Sequence, residues 1–232
     1  MGKATLTPAF FGKDAGNVDF DPGFASFVSI APTYTASMPG PSRVIPANEY
    51  RRVRWRNGAG WTREIHVEPG GEDWDWRLSI AEIEQDAPFS AFPGVDRELV
   101  LLSGNGLRLH FGDGEVHELL PPHQRLRFSG ERAVSGELLD GRTEDFNLMW
   151  RRDAVRAELW HRPLVGAMVV FVDPGSTWVL HLLGGRARIA GDAALPPLAM
   201  GDTALLTASA ERSRYVVDGG GEVLLIRIDP RR

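Results

Sequence analysis

The sequence predicts an all-β protein built from two related, barrel-like halves. Short apolar runs with strand alternation recur from Tyr50 onward, turn-forming glycines punctuate them, and the second half of the chain echoes the first. No stretch carries the sustained 3.6-residue period of a long amphipathic helix.

Taken in order, strand-like runs fall at 62–67, 74–83, 98–102, 107–111 and 116–120. Gly104-Asn105-Gly106 and Gly112-Asp113-Gly114 supply turns between the later ones. Residues 154–160 have the length of a short helix, yet Arg156 and Glu158 alternate with apolar neighbours as in a strand. The run 99–109 is echoed by 178–189. Each is followed by a Leu/Pro-rich step and a fresh strand, at 124–129 and 203–208, and 222–228 closes the second half. Internal similarity at this spacing is what two β-barrel halves leave in a sequence.

A chain of 232 residues with 43% hydrophobic content can bury a substantial core. A net charge of −5 argues against general nucleic-acid binding, which needs a basic patch. The absence of cysteine excludes disulfides, thiolate metal sites and thiol nucleophiles. No apolar run is long enough to span a bilayer as a helix, and the N-terminus lacks the order of a secretory signal, so a cytoplasmic location is expected. The only lysines are Lys3 and Lys13, leaving arginine as the fixed cation of the β region. Arginine also suits two-pronged recognition of carboxylates.

Residues 1–42 differ from the rest: both lysines lie there, with scattered phenylalanines and no hydrophobic period. Two explanations stand side by side, a flexible N-terminal arm and a true translation start at Met38. The expected division is an arm at 1–42, an N-terminal half at 43–152 and a C-terminal half at 153–232.

The most informative segment is Trp55-Arg56-Asn57-Gly58-Ala59-Gly60-Trp61-Thr62-Arg63-Glu64-Ile65. Alone it reads as a hairpin turn, because Asn-Gly favours one. Downstream come Asp75-Trp76-Arg77-Leu78-Ser79-Ile80-Ala81, then Pro88-Phe89-Ser90-Ala91-Phe92-Pro93-Gly94-Val95-Asp96-Arg97, then Glu144-Asp145-Phe146-Asn147-Leu148-Met149-Trp150-Arg151-Arg152. In this order the blocks resemble the HutD/Ves family of small bacterial proteins, named for its association with histidine utilisation. The resemblance implies a double-cupin fold from about Arg43 to the C-terminus, and the Gly201-Asp202 turn is similar to a second cupin motif. Family members usually carry three glycines where this chain has Gly58-Ala59-Gly60. Alanine is strained there only if the middle position needs positive φ.

Metal-binding cupins use a His-x-His pair, which this chain lacks. Its histidines are His66, His110, His117, His123, His161 and His181. His110 and His117 flank a turn, but their separation does not match a ligand pair, so no metal and no cofactor are expected. Ser90 does not sit in a Gly-x-Ser-x-Gly elbow, and the glycine-rich segments lack the lysine of a phosphate-binding loop.

The remaining polar residues suit a small anion. Alternation sends Trp76, Leu78 and Ile80 to one face and Arg77 and Ser79 to the other. It likewise separates Phe146, Leu148 and Trp150 from Asp145, Asn147 and Met149. A buried arginine needs an anionic partner, for which Glu64, Asp96 and Asp145 are the candidates by motif. The alternative to a ligand is an internal ion pair, Arg77 with Asp96 or Arg97 with Asp145. Binding is expected from Asn57, Glu64, Arg77, Ser79, Ser90, Asp96, Arg97 and Asn147. Arg77 or Arg97 would hold a carboxylate, Asn57 and Asn147 would supply amide contacts, and Glu64 would accept an N–H. The resemblance implies a carboxylate from histidine breakdown, such as urocanate or formylglutamate, bound by an accessory or regulatory protein. Two other classes stay open: a cofactor-free isomerase or hydrolase with Glu64 or Asp96 as general base, and an interaction protein dimerising through its C-terminal half.

Overall fold

The computed structural model describes residues 40–191 and 194–231. The expectation of a flexible arm falls, for residues 1–39, outside the described residues. Residues 40–42 lie against the C-terminal half: Thr207 Oγ1 donates to the Gly40 carbonyl at 2.9 Å, and the Thr207 N–H donates to Ser42 Oγ at 2.9 Å.

The N-terminal half supplies β1 (Arg43–Ile45), β2 (Arg51–Arg54), β3 (Gly60–Glu68), β4 (Trp76–Ile83), β5 (Ala87–Pro88) and β6 (Val95–Ser103). It continues with β7 (Leu107–Phe111), β8 (Val116–Leu119), β9 (Arg125–Ser129), β10 (Val134–Leu138) and β11 (Thr143–Arg151). The C-terminal half supplies β12 (Val155–Val172), β13 (Thr177–Ala190), β14 (Leu198–Ala199), β15 (Thr203–Thr207) and β16 (Ser213–Pro230). Each expected run falls in a strand to within one or two residues at its ends. Residues 154–160 resolve as the start of β12, as their alternating charges favour.

Among the described residues three antiparallel sheets form, and none closes into a barrel by hydrogen bonding. A six-stranded sheet in the order β2-β3-β4-β11-β6-β9 faces a four-stranded sheet, β5-β10-β7-β8. The C-terminal sheet runs β1-β15-β13-β16-β12, with β14 on β13. Strand β1 crosses over: Arg43 pairs with Leu205 and Ile45 with Thr203, so the first strand completes the sheet of the other half.

The two faces of the N-terminal six-stranded sheet do different work. Trp76, Leu78, Ile80, Phe146, Leu148 and Trp150 pack against Val179, Leu224, Ile226 and Ile228 of the C-terminal sheet in one apolar cluster. Burying a large side chain of this kind contributes about 2 kcal/mol, so this contact locks the halves together. At one end of the opposite face, Ile83, Leu99 and Leu101 meet Leu107, Leu109 and Phe111 of the four-stranded sheet. The rest of that face carries Arg77, Ser79, Arg97, Asp145, Asn147 and Met149 and lines a cavity.

Candidate functional site

A cavity of about 720 Å³ opens on the polar face, lined by Arg77, Ser79, Arg97, Asp145, Asn147 and Met149 of the sheet. Its mouth is formed by Arg54, Trp55, Arg56 and Asn57 on one side and by Pro88, Phe89, Ser90 and Phe92 on the other. The floor follows from strand register. Arg77 on β4 stands opposite Met149 on β11, which stands opposite Arg97 on β6. In the neighbouring row Glu64, Ser79, Asn147 and Leu99 follow one another across β3, β4, β11 and β6. Period-two alternation therefore places both arginines, the amide and the Asp145 carboxyl on one surface.

The loop at the mouth is built by its glycines and Asn57. Gly58 takes a φ of 73°, a conformation open to glycine at no steric cost. A Cβ on Gly60 would lie 2.3 Å from the Glu82 carbonyl oxygen. Ala59 is buried and is not among the residues of positive φ, so alanine in the middle of the glycine run carries no strain of that kind. Asn57 Oδ1 accepts the Ala59 N–H at 3.1 Å, which commits its oxygen to the turn and leaves its NH₂ as the group on offer. Trp55 is pinned by its indole N–H, which donates to Thr62 Oγ1 at 2.8 Å.

Arg97 is the unusual residue. It is 6% exposed, yet among the described residues no carboxylate lies within ion-pair distance of it. Its guanidinium sits between the rings of Phe89, Phe92 and Phe128, 5.3 to 5.8 Å from their centroids, and donates one long bond of 3.4 Å to the Ser90 carbonyl. Burial, and then the positive charge of Arg77, lower its pKa to about 10. Arg77 is half-buried and shares Glu64 with Arg51, at 3.2 and 2.8 Å. Among the described residues, four buried polar atoms of the floor lack a hydrogen-bond partner: Nε of Arg77, Nε of Arg97, Oδ1 of Asp145 and Oδ1 of Asn147. Buried polar groups are ordinarily satisfied, so this concentration in one cavity sets it apart.

Asp145 is fully buried, and burial raises its pKa to about 7 against the opposing hydrogen bond from Thr143 Oγ1 at 3.0 Å. Near neutral pH it holds a proton in a large fraction of molecules and can donate it. The floor thus presents cationic and amide donors beside a carboxyl that switches between donor and acceptor.

Of the eight residues expected to bind, Asn57, Arg77, Ser79, Ser90, Arg97 and Asn147 line the cavity. Glu64 stands beside it as the counter-ion of Arg77. Asp96 shares the opposite face with Trp150 and is held there by Arg127 at 2.8 Å and Arg152 at 3.0 Å. The anticipated pairs Arg77–Asp96 and Arg97–Asp145 are not formed among the described residues. Asp145 joins the site without having been expected to bind a ligand; its signal was the alternation that set it beside Asn147. His110 and His117 project to opposite sheet faces and pair separately with Glu137 and Glu115. No histidine lines the cavity.

These features define a double-cupin protein whose N-terminal half encloses an arginine-lined cavity. YlbA of Escherichia coli, 10% identical, shares this fold at a TM-score of 0.65 over 86% of this chain and 95% of its own. The chain belongs to the HutD family, whose model matches residues 47–225. It is 47% identical over 106 residues to protein Ves of Cronobacter sakazakii, covering 45% of this chain and 58% of that one. It is 41% identical over 119 residues to an uncharacterised protein from the hutC 3′ region of Pseudomonas putida, covering 50% and 62%. The chain thus spans about three-fifths of the curated relatives it matches. HutD of Pseudomonas fluorescens SBW25, in a formate condition, superposes at a TM-score of 0.72 with 30% identity, over 82% of this chain and all of that one.

Proposed function

We propose that this protein binds a small carboxylate from histidine breakdown, such as urocanate or formylglutamate, and serves that pathway as a binding or regulatory accessory. The observation that carries the reading is Arg97, a buried cation that meets no carboxylate among the described residues, facing the cavity beside Arg77. Leaving such a charge unpaired costs several kcal/mol, and an anion entering between the arginines offsets that cost. The family and the hutC-region relative support the choice of pathway. The cavity is in the size range of small-molecule sites, and its phenylalanine wall suits a flat or aliphatic body behind the carboxylate.

The test is a thermal-shift series with histidine, urocanate, formylglutamate, glutamate and formate, run in the presence of EDTA. At about 100 times Kd, binding stabilises by roughly 2.7 kcal/mol, a rise of several degrees for a chain of this size. The reading requires a shift with one pathway acid that disappears in Arg77→Ala. A shift that survives this change, or no shift with any acid, removes it.

A second reading rests on Asp145, whose raised pKa fits a general acid or base. Glu64 lies between two arginines and Asp96 faces away, so Asp145 is the carboxyl placed to move a proton. Turnover of a bound acid that is lost in Asp145→Asn would establish it.

A further inference from the structure

We propose that His123, His161 and Glu222 form a binding site for a first-row divalent metal ion of the zinc type, outside the cavity and at the junction of the two halves. The imidazoles of His123 and His161 and the carboxylate of Glu222 bring one ligand atom each to within 4.8 Å of one another. His161 Nε2 lies 2.9 Å and His123 Nε2 3.5 Å from the same oxygen, Glu222 Oε2. Tetrahedral ligands at zinc bond lengths stand about 3.3 Å apart, so two of the three separations are close to that value and the third lies within 4.8 Å.

His123 is prepared for the role. His123 Nδ1 lies 3.2 Å from the Leu101 carbonyl oxygen, which accepts its N–H; that tautomer leaves the lone pair on Nε2, the atom turned toward Glu222. A ligand histidine whose other nitrogen donates to a backbone carbonyl is the common outer arrangement of metal sites. The rings of His123 and His161 meet edge to face at 4.9 Å. His161 and Glu222 are diagonal neighbours of the β12–β16 ladder, in which His161 pairs with Leu224 and Pro163 with Glu222. The exposure of His161 and Glu222 leaves solvent free to complete the coordination shell. Two histidines and one glutamate with an open position form a donor set that zinc accepts. A search for His-x-His passes over this trio because its members come from a loop and two distant strands.

His123 belongs to the N-terminal half, while His161 and Glu222 belong to the C-terminal half. A bound ion therefore clips the halves together and stabilises the folded chain by mass action.

The experiment is zinc titration of the full chain after EDTA treatment and buffer exchange, read by bound-metal analysis and by Tm. Wild type is compared with Glu222→Gln, His161→Ala and a control carrying His110→Ala and His117→Ala. One equivalent of zinc is expected in wild type and control, with a Tm rise, and affinity falls at least about a hundredfold in the two site variants. The side chains of His161 and Glu222 are substantially exposed, so both variants keep the metal-free Tm of wild type. Absence of zinc uptake in wild type, uptake undiminished in the site variants, or uptake lost in the control overturns the proposal.

Discussion

Replacing Asp145 by asparagine removes one ionisation while keeping shape, so its effect on stability can be worked out. In the folded protein the carboxyl is buried, with Oδ2 bonded to Thr143 and Oδ1 without a partner among the described residues. Its pKa stands at about 7, against an ordinary 3.8. Between those values the folded state holds a proton that the unfolded state has released. The favourable contribution is therefore complete below about pH 4, is lost progressively as the pH rises through 7, and then levels off. At about 1.4 kcal/mol per pH unit, the loss is bounded by roughly 4 kcal/mol, and relaxation around the charge lowers it to about 2–4 kcal/mol. Urea unfolding of wild type and Asp145→Asn at several values from pH 4.5 to 8.5 measures this. The variant gains on wild type by that amount as the pH rises. Other groups titrate equally in both proteins and cancel in the difference. Parallel curves across the range would refute the reasoning.

Arg97→Met exchanges a buried cation for an apolar side chain among three phenylalanines. The ligand-free Tm should not fall, because removing an uncompensated buried charge offsets the lost packing, while carboxylate binding is abolished; a clear drop in Tm would show that Arg97 stabilises the cavity wall. His181 is buried, its Nδ1 2.9 Å from Thr203 Oγ1, and burial holds its pKa at about 4. Its contribution is present above the ordinary value of 6.5 and is lost as the pH falls toward 4, so His181→Met should flatten the acid limb of a circular-dichroism titration between those values. Thr203 keeps its bond to the Tyr50 hydroxyl in that variant. Gly60→Ala forces a Cβ against the Glu82 carbonyl oxygen and should cost about 1–3 kcal/mol in urea unfolding.

The cavity floor was legible because a strand has a simple period. The runs 76–80 and 145–150 each divide into an apolar and a polar face, and those faces are the ones that meet the C-terminal half and the cavity. The turns at Gly58, Gly104, Gly106 and Gly114 were equally legible, since all four glycines adopt positive φ. A sequence carries such local requirements openly. It does not carry the order of strands in space. Strand β11 lies between β4 and β6, so Asp145 and Asn147 come to stand among residues from much earlier in the chain.

The sequence by itself determined the strands, their two faces, the family and the exclusive use of arginine as the cation of the β region. Each depends on residue identity over short windows or on similarity along the chain. Only the tertiary structure decided which charges meet. Glu64 rather than Asp96 serves Arg77, because β3 adjoins β4, while Asp96 lies on the far face of β6 with Arg127 and Arg152. Arg97 meets no carboxylate among the described residues, and His123 reaches His161 and Glu222, for the same physical reason. Ion pairs and ligand sets act over a few ångströms, and register and sheet order set those distances between segments far apart in sequence.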